Sequence, residues 1–162
     1  MRRFGDVYAG WTTHVVPMQD YEKLEVWKHA HRIAVNVQRV TARIARRDNS
    51  GLISQMRRAA LSVPANIAEG SSKESNREFA RFLQIAAGSA AELHYHLRFA
   101  TDTALIPRPT GDSLLAETTR MRKMLFALLR RVRETLPGSN HSPKTQDQRQ
   151  ETRNQRPQTN DH

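Results

Sequence analysis

Apolar residues between positions 20 and 136 recur at spacings of three and four, which is the period of one face of an α-helix. The first such stripe consists of Val26, Ala30, Ile33, Val37, Val40 and Ile44, and it is widened by Leu24, Trp27 and Ala34. Asp20 is a suitable N-cap for this helix, and the turn residues at 48–51 (DNSG) end it. The pattern predicts an amphipathic first helix.

The second stripe has a proline within its apolar run, and it consists of Leu52, Met56, Ala59, Ala60, Val63 and Ile67. Pro64 has no amide hydrogen and its ring opposes the carbonyl of Ala60, which costs about 3 kcal/mol inside a helix. The second helix is therefore predicted to be kinked at Pro64, or broken there with Pro64 starting a new short helix. Gly70 is predicted to end it as a C′ glycine.

Two further stripes predict a third and a fourth helix. The third helix opens with a capping box formed by Ser75 and Glu78, and residues 107–112 (PRPTGD) are predicted to end it. Its stripe consists of Phe79, Leu83, Ala86, Ala90, Leu93, Leu97, Ala100 and Ala104. The fourth stripe consists of Leu114, Thr118, Met121, Leu125, Leu128 and Val132, and it ends before Pro137 and Gly138.

Short loops join the four predicted helices, so consecutive helices should run antiparallel. No run of alternating apolar and polar residues predicts a strand. The predicted fold class is therefore all-α, an up-down-up-down antiparallel four-helix bundle that occupies residues 20–138.

The two ends of the chain lack the helical pattern. Residues 1–19 have no helical period, and two hypotheses stay open for them. Translation starts at Met18, so that residues 1–17 are an artefact of gene calling, or the segment is a real extension, either disordered or with Trp11 docked on the bundle or on a neighbouring subunit. Residues 139–162 contain no aliphatic or aromatic side chain. We expect them to be disordered, because they bury too little apolar surface to offset the entropy of ordering.

The net charge narrows the class of partner. At pH 7 the formal net charge is +10, a balance typical of proteins that bind nucleic acid. The alternative is a general preference for arginine in the source genome. The chain has no cysteine, which fits a reducing compartment, and no apolar stretch of the ~20 residues that span a bilayer. We therefore expect a cytoplasmic protein without a membrane partner.

Basic residues cluster in two places. The first cluster consists of arginines at the end of helix 1 and at the beginning of helix 2. Antiparallel packing of these two helices brings the arginines to one end of the bundle. The second lies on helix 4. The candidate nucleic-acid-binding residues are Arg43, Arg46, Arg47, Arg57, Arg58, Arg120, Arg122, Lys123, Arg130 and Arg131. The alternative is that arginines complement helix macrodipoles, and that Arg57 or Arg58 pairs with Glu69 or with another subunit.

The sequence gives catalysis and metal binding no support. It has no Glu-x-x-His pair of the kind that binds two metal ions in a bundle. It also lacks a Gly-x-Ser-x-Gly elbow and a phosphate-binding glycine loop. Gly88 lies in a run of small residues, which favours close approach of a neighbouring helix or subunit. We predict no enzymatic activity, cofactor or metal; an enzyme pocket near Asn66 and Glu69 is the minor alternative.

Two motifs give the chain a resemblance to a known family. Residues 24–27 read Leu-Glu-Val-Trp, and residues 62–70 read Ser-Val-Pro-Ala-Asn-Ile-Ala-Glu-Gly. Residues 21–104 resemble the bacterial four-helix-bundle family named for 23S rRNA intervening sequences. The structural motif implied by the resemblance consists of Trp27, Pro64, Asn66, Glu69 and Gly70. Asn66 and Glu69 lie one turn apart, and we expect them to bond backbone groups around Pro64 or at the junction of helices 2 and 3.

The resemblance implies a ring of five subunits without catalytic residues. A relative is the accessory protein of diversity-generating retroelements, which binds nucleic acid and a reverse transcriptase. The expected function is that of a non-enzymatic homo-oligomer that associates with nucleic acid, RNA rather than DNA, through the phosphate backbone. The alternatives are a protein-interaction scaffold without nucleic-acid binding and an accessory subunit of a reverse transcriptase.

Overall fold

The computed structural model describes residues 20–44 and 50–136. These residues form one turn of 3₁₀ helix, Tyr21–Lys23, and four α-helices: α1 (Glu25–Ala42), α2 (Ser50–Ser71), α3 (Asn76–Asp102) and α4 (Arg108–Glu134). No strand occurs within the two described ranges, so the predicted all-α class is confirmed. The predictions for residues 1–19, for Arg46 and Arg47, and for residues 139–162 fall outside the described residues.

The helices form a closed bundle in which α1 packs on α2 and α4, and α3 packs on α2 and α4. Side-chain bonds fix the antiparallel order. Asn76 Nδ2 at the start of α3 donates to Thr135 Oγ1 just after α4, at 2.7 Å. The Ser62 and Ser89 hydroxyls bond at 2.8 Å between α2 and α3. Arg57 Nε in α2 donates to Thr41 Oγ1 at the end of α1, at 2.8 Å. The ends of α1 and α3 therefore lie beside the starts of α2 and α4, and we call this the upper end of the bundle.

The core contains most of the predicted stripes. Its largest fully buried side chains are Ile33, Met56, Ile67, Leu83, Leu93, Leu97, Ile106, Met121 and Leu125. On α4 the stripe shifts by one residue near its end: Leu129, four residues after Leu125, is buried, and the predicted Leu128 is only partly buried. Val40, Ile44 and Leu52 are also only partly buried. None of the described helices is long and apolar enough to cross a membrane.

Helix boundaries at the upper end differ from the prediction. α3 ends at Asp102, and the predicted core residue Ala104 is exposed, with a left-handed φ of 57°. Ile106 is buried instead, and its amide donates to Ala100 O at 3.0 Å. Most of the PRPTGD segment belongs to α4 and does not simply end α3, because prolines are tolerated in the first turn of a helix.

α2 runs without interruption through Pro64, so the hypothesis of two separate helices is wrong. Gly70 lies inside this helix and is buried, so its predicted role as a C′ glycine is also wrong. A Cβ at this position would lie 2.7 Å from Phe82 Cβ and 2.9 Å from Phe79 Cδ2. Gly70 is therefore required by close packing against α3.

One of the two predicted N-caps is confirmed, and the other caps a different helix from the one predicted. Ser75 caps α3 as predicted, and its hydroxyl accepts from the Glu78 amide at 3.2 Å. Asp20 caps the 3₁₀ turn, accepting from the Glu22 amide at 3.2 Å, and α1 starts after Leu24 without a side-chain cap. The chain thus enters α1 through a tighter turn that the apolar period did not reveal.

Candidate nucleic-acid interface

α1 separates its charges along its length. Its acidic residue Glu25 lies in the first turn, and Arg39 and Arg43 lie at the other end. The helix macrodipole favours this order, since the C-terminus has partial negative charge. Arg39 and Arg43 are exposed, and neither forms an ion pair with any described residue. Two exposed cations one turn apart therefore stand at the upper end.

The two predicted arginines of α2 are engaged within the bundle. Arg57 is partly buried, and its Nε donates to Thr41 Oγ1 on α1 at 2.8 Å. Arg58 Nη2 donates to Gln55 Oε1 at 2.5 Å and lies 3.5 Å from Glu92 Oε1 on α3. Neither arginine pairs with Glu69. Both arginines therefore contact neighbouring helices, while the Arg58 side chain remains 70% exposed. Arg43 is the arginine of this cluster that has no such contact within the described residues.

A cleft of about 940 Å³ lies between the end of α1 and the start of α4. Its apolar walls consist of Val40, Ile44, Ala104, Leu105, Pro107, Pro109 and Leu114. Its polar groups are Asn36, Arg39, Arg43, Thr110, Ser113 and Glu117. Neither Asn66 nor Glu69 lines it, so it is distinct from the pocket that the sequence raised as an alternative. Sequence reasoning missed this cleft, because its walls come from two helices that are distant in sequence.

The face between α1 and α4 below this cleft holds a mixed group of charges. Glu117 Oε2 lies 3.8 Å from Arg32 Nε, and Arg32 Nη2 lies 3.0 Å from His29 Nδ1. Partial burial lowers the pKa of His29, and the charges of Arg32 and Arg120 lower it further. His29 is therefore mainly neutral at pH 7, and Arg32 and Arg120 provide the positive charges of this face.

The other basic residues of α4 are spread around the helix. Arg122 is near His94 on α3, whose pKa is lowered by burial and then by Arg122 and Arg98. Lys123 and Arg131 are exposed, and Arg130 Nε lies 3.8 Å from Glu134 Oε1 at the lower end. The described candidates therefore do not form one patch. They divide between the upper end and separate positions along α4.

The motif around Pro64 connects α2 to α3. Asn66 Nδ2 donates to Ser62 O at 2.8 Å and to Ser62 Oγ at 3.0 Å, and Ser62 Oγ is bonded to Ser89. Glu69 is exposed, and its Oε1 lies 3.4 Å from Lys73 Nζ. Asn66 thus contributes to a helix–helix contact beside Pro64, and Glu69 pairs at the junction of α2 and α3.

Trp27, the aromatic residue of the first motif, is partly buried at the lower end of α1. Its ring stacks on His31 with centroids 5.1 Å apart and meets the edge of Tyr21 at 5.0 Å. It therefore fixes the 3₁₀ turn against α1.

Replacing Asn66 with alanine should lower the free energy of unfolding by about 1 kcal/mol, because it removes two hydrogen bonds from a partly buried network. Glu69→Ala is the matched control one turn away. It should change stability by less than about 0.5 kcal/mol, since an exposed ion pair contributes little. Urea unfolding followed by circular dichroism measures both variants. Equal losses in the two would contradict the role assigned to Asn66.

No group of three or more His, Asp or Glu side chains that could hold a metal ion occurs in the parts of the chain that the structure describes. Glu92 Oε1 and His96 Nε2 lie 3.5 Å apart on α3. Arg58 on α2 also approaches Glu92, so this carboxylate belongs to an interhelical ion pair.

The family model described as 23S rRNA-intervening sequence protein matches residues 22–127. Among solved structures, the fold is similar to a protein of unknown function from the S23 ribosomal protein family of Bacteroides thetaiotaomicron. The TM-score is 0.60 at 24% identity, over 64% of this chain and 97% of that chain. No curated protein matches the chain.

Proposed function

Since this chain belongs to the 23S rRNA-intervening sequence protein family, we propose that it is a non-enzymatic, self-assembling bundle that associates with RNA through the phosphate backbone. The preference for RNA over DNA rests on the family's association with an rRNA gene. No reaction follows from the side chains described above, whereas positive charge is abundant.

The observation that supports this proposal most is the positive charge that the bundle leaves unneutralised. Residues 20–138 contain 20 basic and 12 acidic side chains. Arg39, Arg43, Lys123 and Arg131 are exposed and have no ion pair among the described residues. Such a surface attracts polyanions, and its attraction to a phosphate backbone does not depend on the base sequence.

Self-association is supported by an apolar stripe on the outside of α3. Ile85, Tyr95 and Phe99 are exposed by 42%, 63% and 47%, and they lie at helical spacing on one side of the helix. Gly88 lies on the same side, and a Cβ placed there would have no neighbour within 4 Å. No described helix of the same chain therefore approaches Gly88, and the open space beside it lets a second subunit come close to α3.

Assembly through this stripe should make the protein larger than a monomer at micromolar concentration, and the expected assembly is a ring of five. The variant Ile85→Asp/Phe99→Asp should dissociate it, because each copy would place unpaired carboxylates in an apolar contact. Ala127→Asp is the control, since it adds a carboxylate at an exposed position of α4 and not on α3. Sedimentation velocity compares them. A monomeric wild-type protein would overturn the assembly proposal.

The backbone proposal is tested with two oligonucleotides of the same base sequence, one with phosphodiester linkages and one with an uncharged backbone. Fluorescence anisotropy should show binding of the RNA and no binding of the uncharged analogue. Equal affinity for both would mean that bases, and not phosphates, provide the attraction.

A protein-interaction scaffold is the second candidate function. It is favoured by the engagement of Arg57 and Arg58 within the bundle, which reduces the number of arginines available to nucleic acid. A protein that assembles normally and binds neither RNA nor DNA at low salt would have this function.

A further inference from the structure

We propose that the cleft between α1 and α4 receives an unpaired nucleotide, with its base against the apolar walls and its phosphate at Arg39 and Arg43. This inference rests on the proposed function and adds to it a preference for single-stranded or looped RNA over a duplex. A general basic surface would give no such preference.

The size of the cleft fits a nucleotide. Its volume of about 940 Å³ lies within the range of small-molecule sites, roughly 300–1,000 Å³. The cleft occupies the upper end of the α1–α4 contact, above the ion pair between Arg32 and Glu117.

The walls of the cleft provide apolar contact for the faces of a base. Val40, Ile44 and Leu105 pack on the core and remain partly exposed, and Leu114 forms the floor with 4% exposure. These side chains are aliphatic, so they contact a base by dispersion and burial and not by aromatic stacking. A flat, mainly apolar ring is the chemical class that they complement.

Charge at the rim of the cleft identifies the ligand as an anion. Arg39 and Arg43 line it from α1, one turn apart on the same helix face. A guanidinium group presents a planar fork of donors that matches the oxygens of a phosphate. α4 begins at this cleft, and the partial positive charge of its N-terminus adds to that of the arginines. Glu117 is the acidic residue of the lining, and it faces Arg32.

Polar groups on the inner side of the cleft complement the edge of a base. Asn36 offers an amide, and Thr110 offers a hydroxyl; both residues are partly buried. Both groups donate and accept hydrogen bonds. A base reaches them only when it has left its stack, as in single-stranded RNA or in a loop. The bases of a duplex are stacked and paired, so a duplex contacts Arg39 and Arg43 without entering the cleft.

The experiment compares a fluorescein-labelled 12-nucleotide single-stranded RNA with a 12-base-pair duplex of the same sequence, in 100 mM salt. The single strand should bind about tenfold more tightly per phosphate, which corresponds to burial of roughly 55 Å² of apolar surface against the aliphatic walls. Ser113→Trp should remove this advantage and leave duplex binding unchanged, because an exposed residue of the lining then fills the cleft. Ala127→Trp, at an exposed position of α4 outside the lining, should behave as the wild type.

The outcomes separate this inference from the proposed function. Equal affinity per phosphate for single strand and duplex overturns the nucleotide site and leaves backbone association intact. If a folded Ser113→Trp protein keeps the single-strand preference, the nucleotide site is likewise overturned and backbone association is left intact. Absence of all RNA binding at 50 mM salt overturns both. The comparison of the two RNAs uses the unchanged protein, so it decides the matter even if the tryptophan variant fails to fold.

Discussion

Gly111→Ala should destabilise the bundle by about 2–3 kcal/mol, the upper part of the range for overpacking a core. Gly111 is buried in the first turns of α4, and a Cβ there would collide with the Thr101 hydroxyl and lie 2.7 Å from Thr101 Cγ2. Thr101 is 3% exposed, and its hydroxyl donates to Leu97 O at 2.7 Å. The threonine cannot turn away without losing that bond, so α3 and α4 must separate.

Gly51→Ala is the matched control for this substitution. Gly51 is an exposed glycine near the start of α2, and a Cβ there would have no neighbour within 4 Å. Alanine is the better helix former by up to about 1 kcal/mol, so this variant should be as stable as the wild type or slightly more so. Urea unfolding measures both variants at one protein concentration. Equal stability of Gly111→Ala and the wild type would contradict the α3–α4 packing described here.

The double substitution Arg39→Gln/Arg43→Gln should weaken RNA binding about 25-fold at 0.1 M salt. Each phosphate contact to a single strand contributes a salt slope of about −0.7, which is roughly fivefold in affinity at that salt concentration. The slope itself should become less negative by about 1.4. Both side chains are exposed and unpaired within the described part of the molecule, so their loss should leave the fold unchanged.

Arg130→Gln/Arg131→Gln removes the same amount of charge at the opposite end of α4. Arg130 lies 3.8 Å from Glu134, whose carboxylate offsets part of its charge, and neither Arg130 nor Arg131 lines the cleft between α1 and α4. We expect a smaller loss of affinity, about fivefold or less, although both residues belong to the set that the sequence indicated. Anisotropy titrations at three salt concentrations compare the two double variants. Equal losses would mean that charge acts from the whole surface and not from the upper end.

The sequence was sufficient to predict the four helices, because the apolar period depends on local spacing. Val37, Leu83 and Leu125 each belong to a stripe of apolar residues spaced three and four apart, and all three are fully buried. Ser75 likewise caps α3 through a bond to a residue three positions away. Features determined by neighbours in sequence were therefore predicted well.

Features determined by neighbours in space were predicted less well. Glycine is common at helix ends, but at Gly70 the packing of Phe79 and Phe82 on α3 requires a residue without a Cβ. PRPTGD has the composition of a loop, but most of it forms the first turn of α4. Propensity alone does not show whether a small or turn-forming residue ends a helix or permits close packing.

The candidate interface was the least predictable part. The sequence identifies Arg57 and Arg58 as basic, but their engagement with Thr41 and Glu92 depends on the crossing of α2 with its neighbours. The cleft requires Val40 and Leu105, which are distant in sequence, to face each other. Neither arrangement follows from the period of a single helix.

The dependence of RNA binding on salt is the most direct test of association through the phosphate backbone. For the wild-type protein and a single-stranded RNA, the logarithm of the association constant should fall linearly with the logarithm of salt concentration between 50 and 200 mM. The slope should be about −1.4 or steeper, corresponding to at least two phosphate contacts. No detectable binding at 50 mM salt, or an affinity that does not change with salt, would contradict the proposed function.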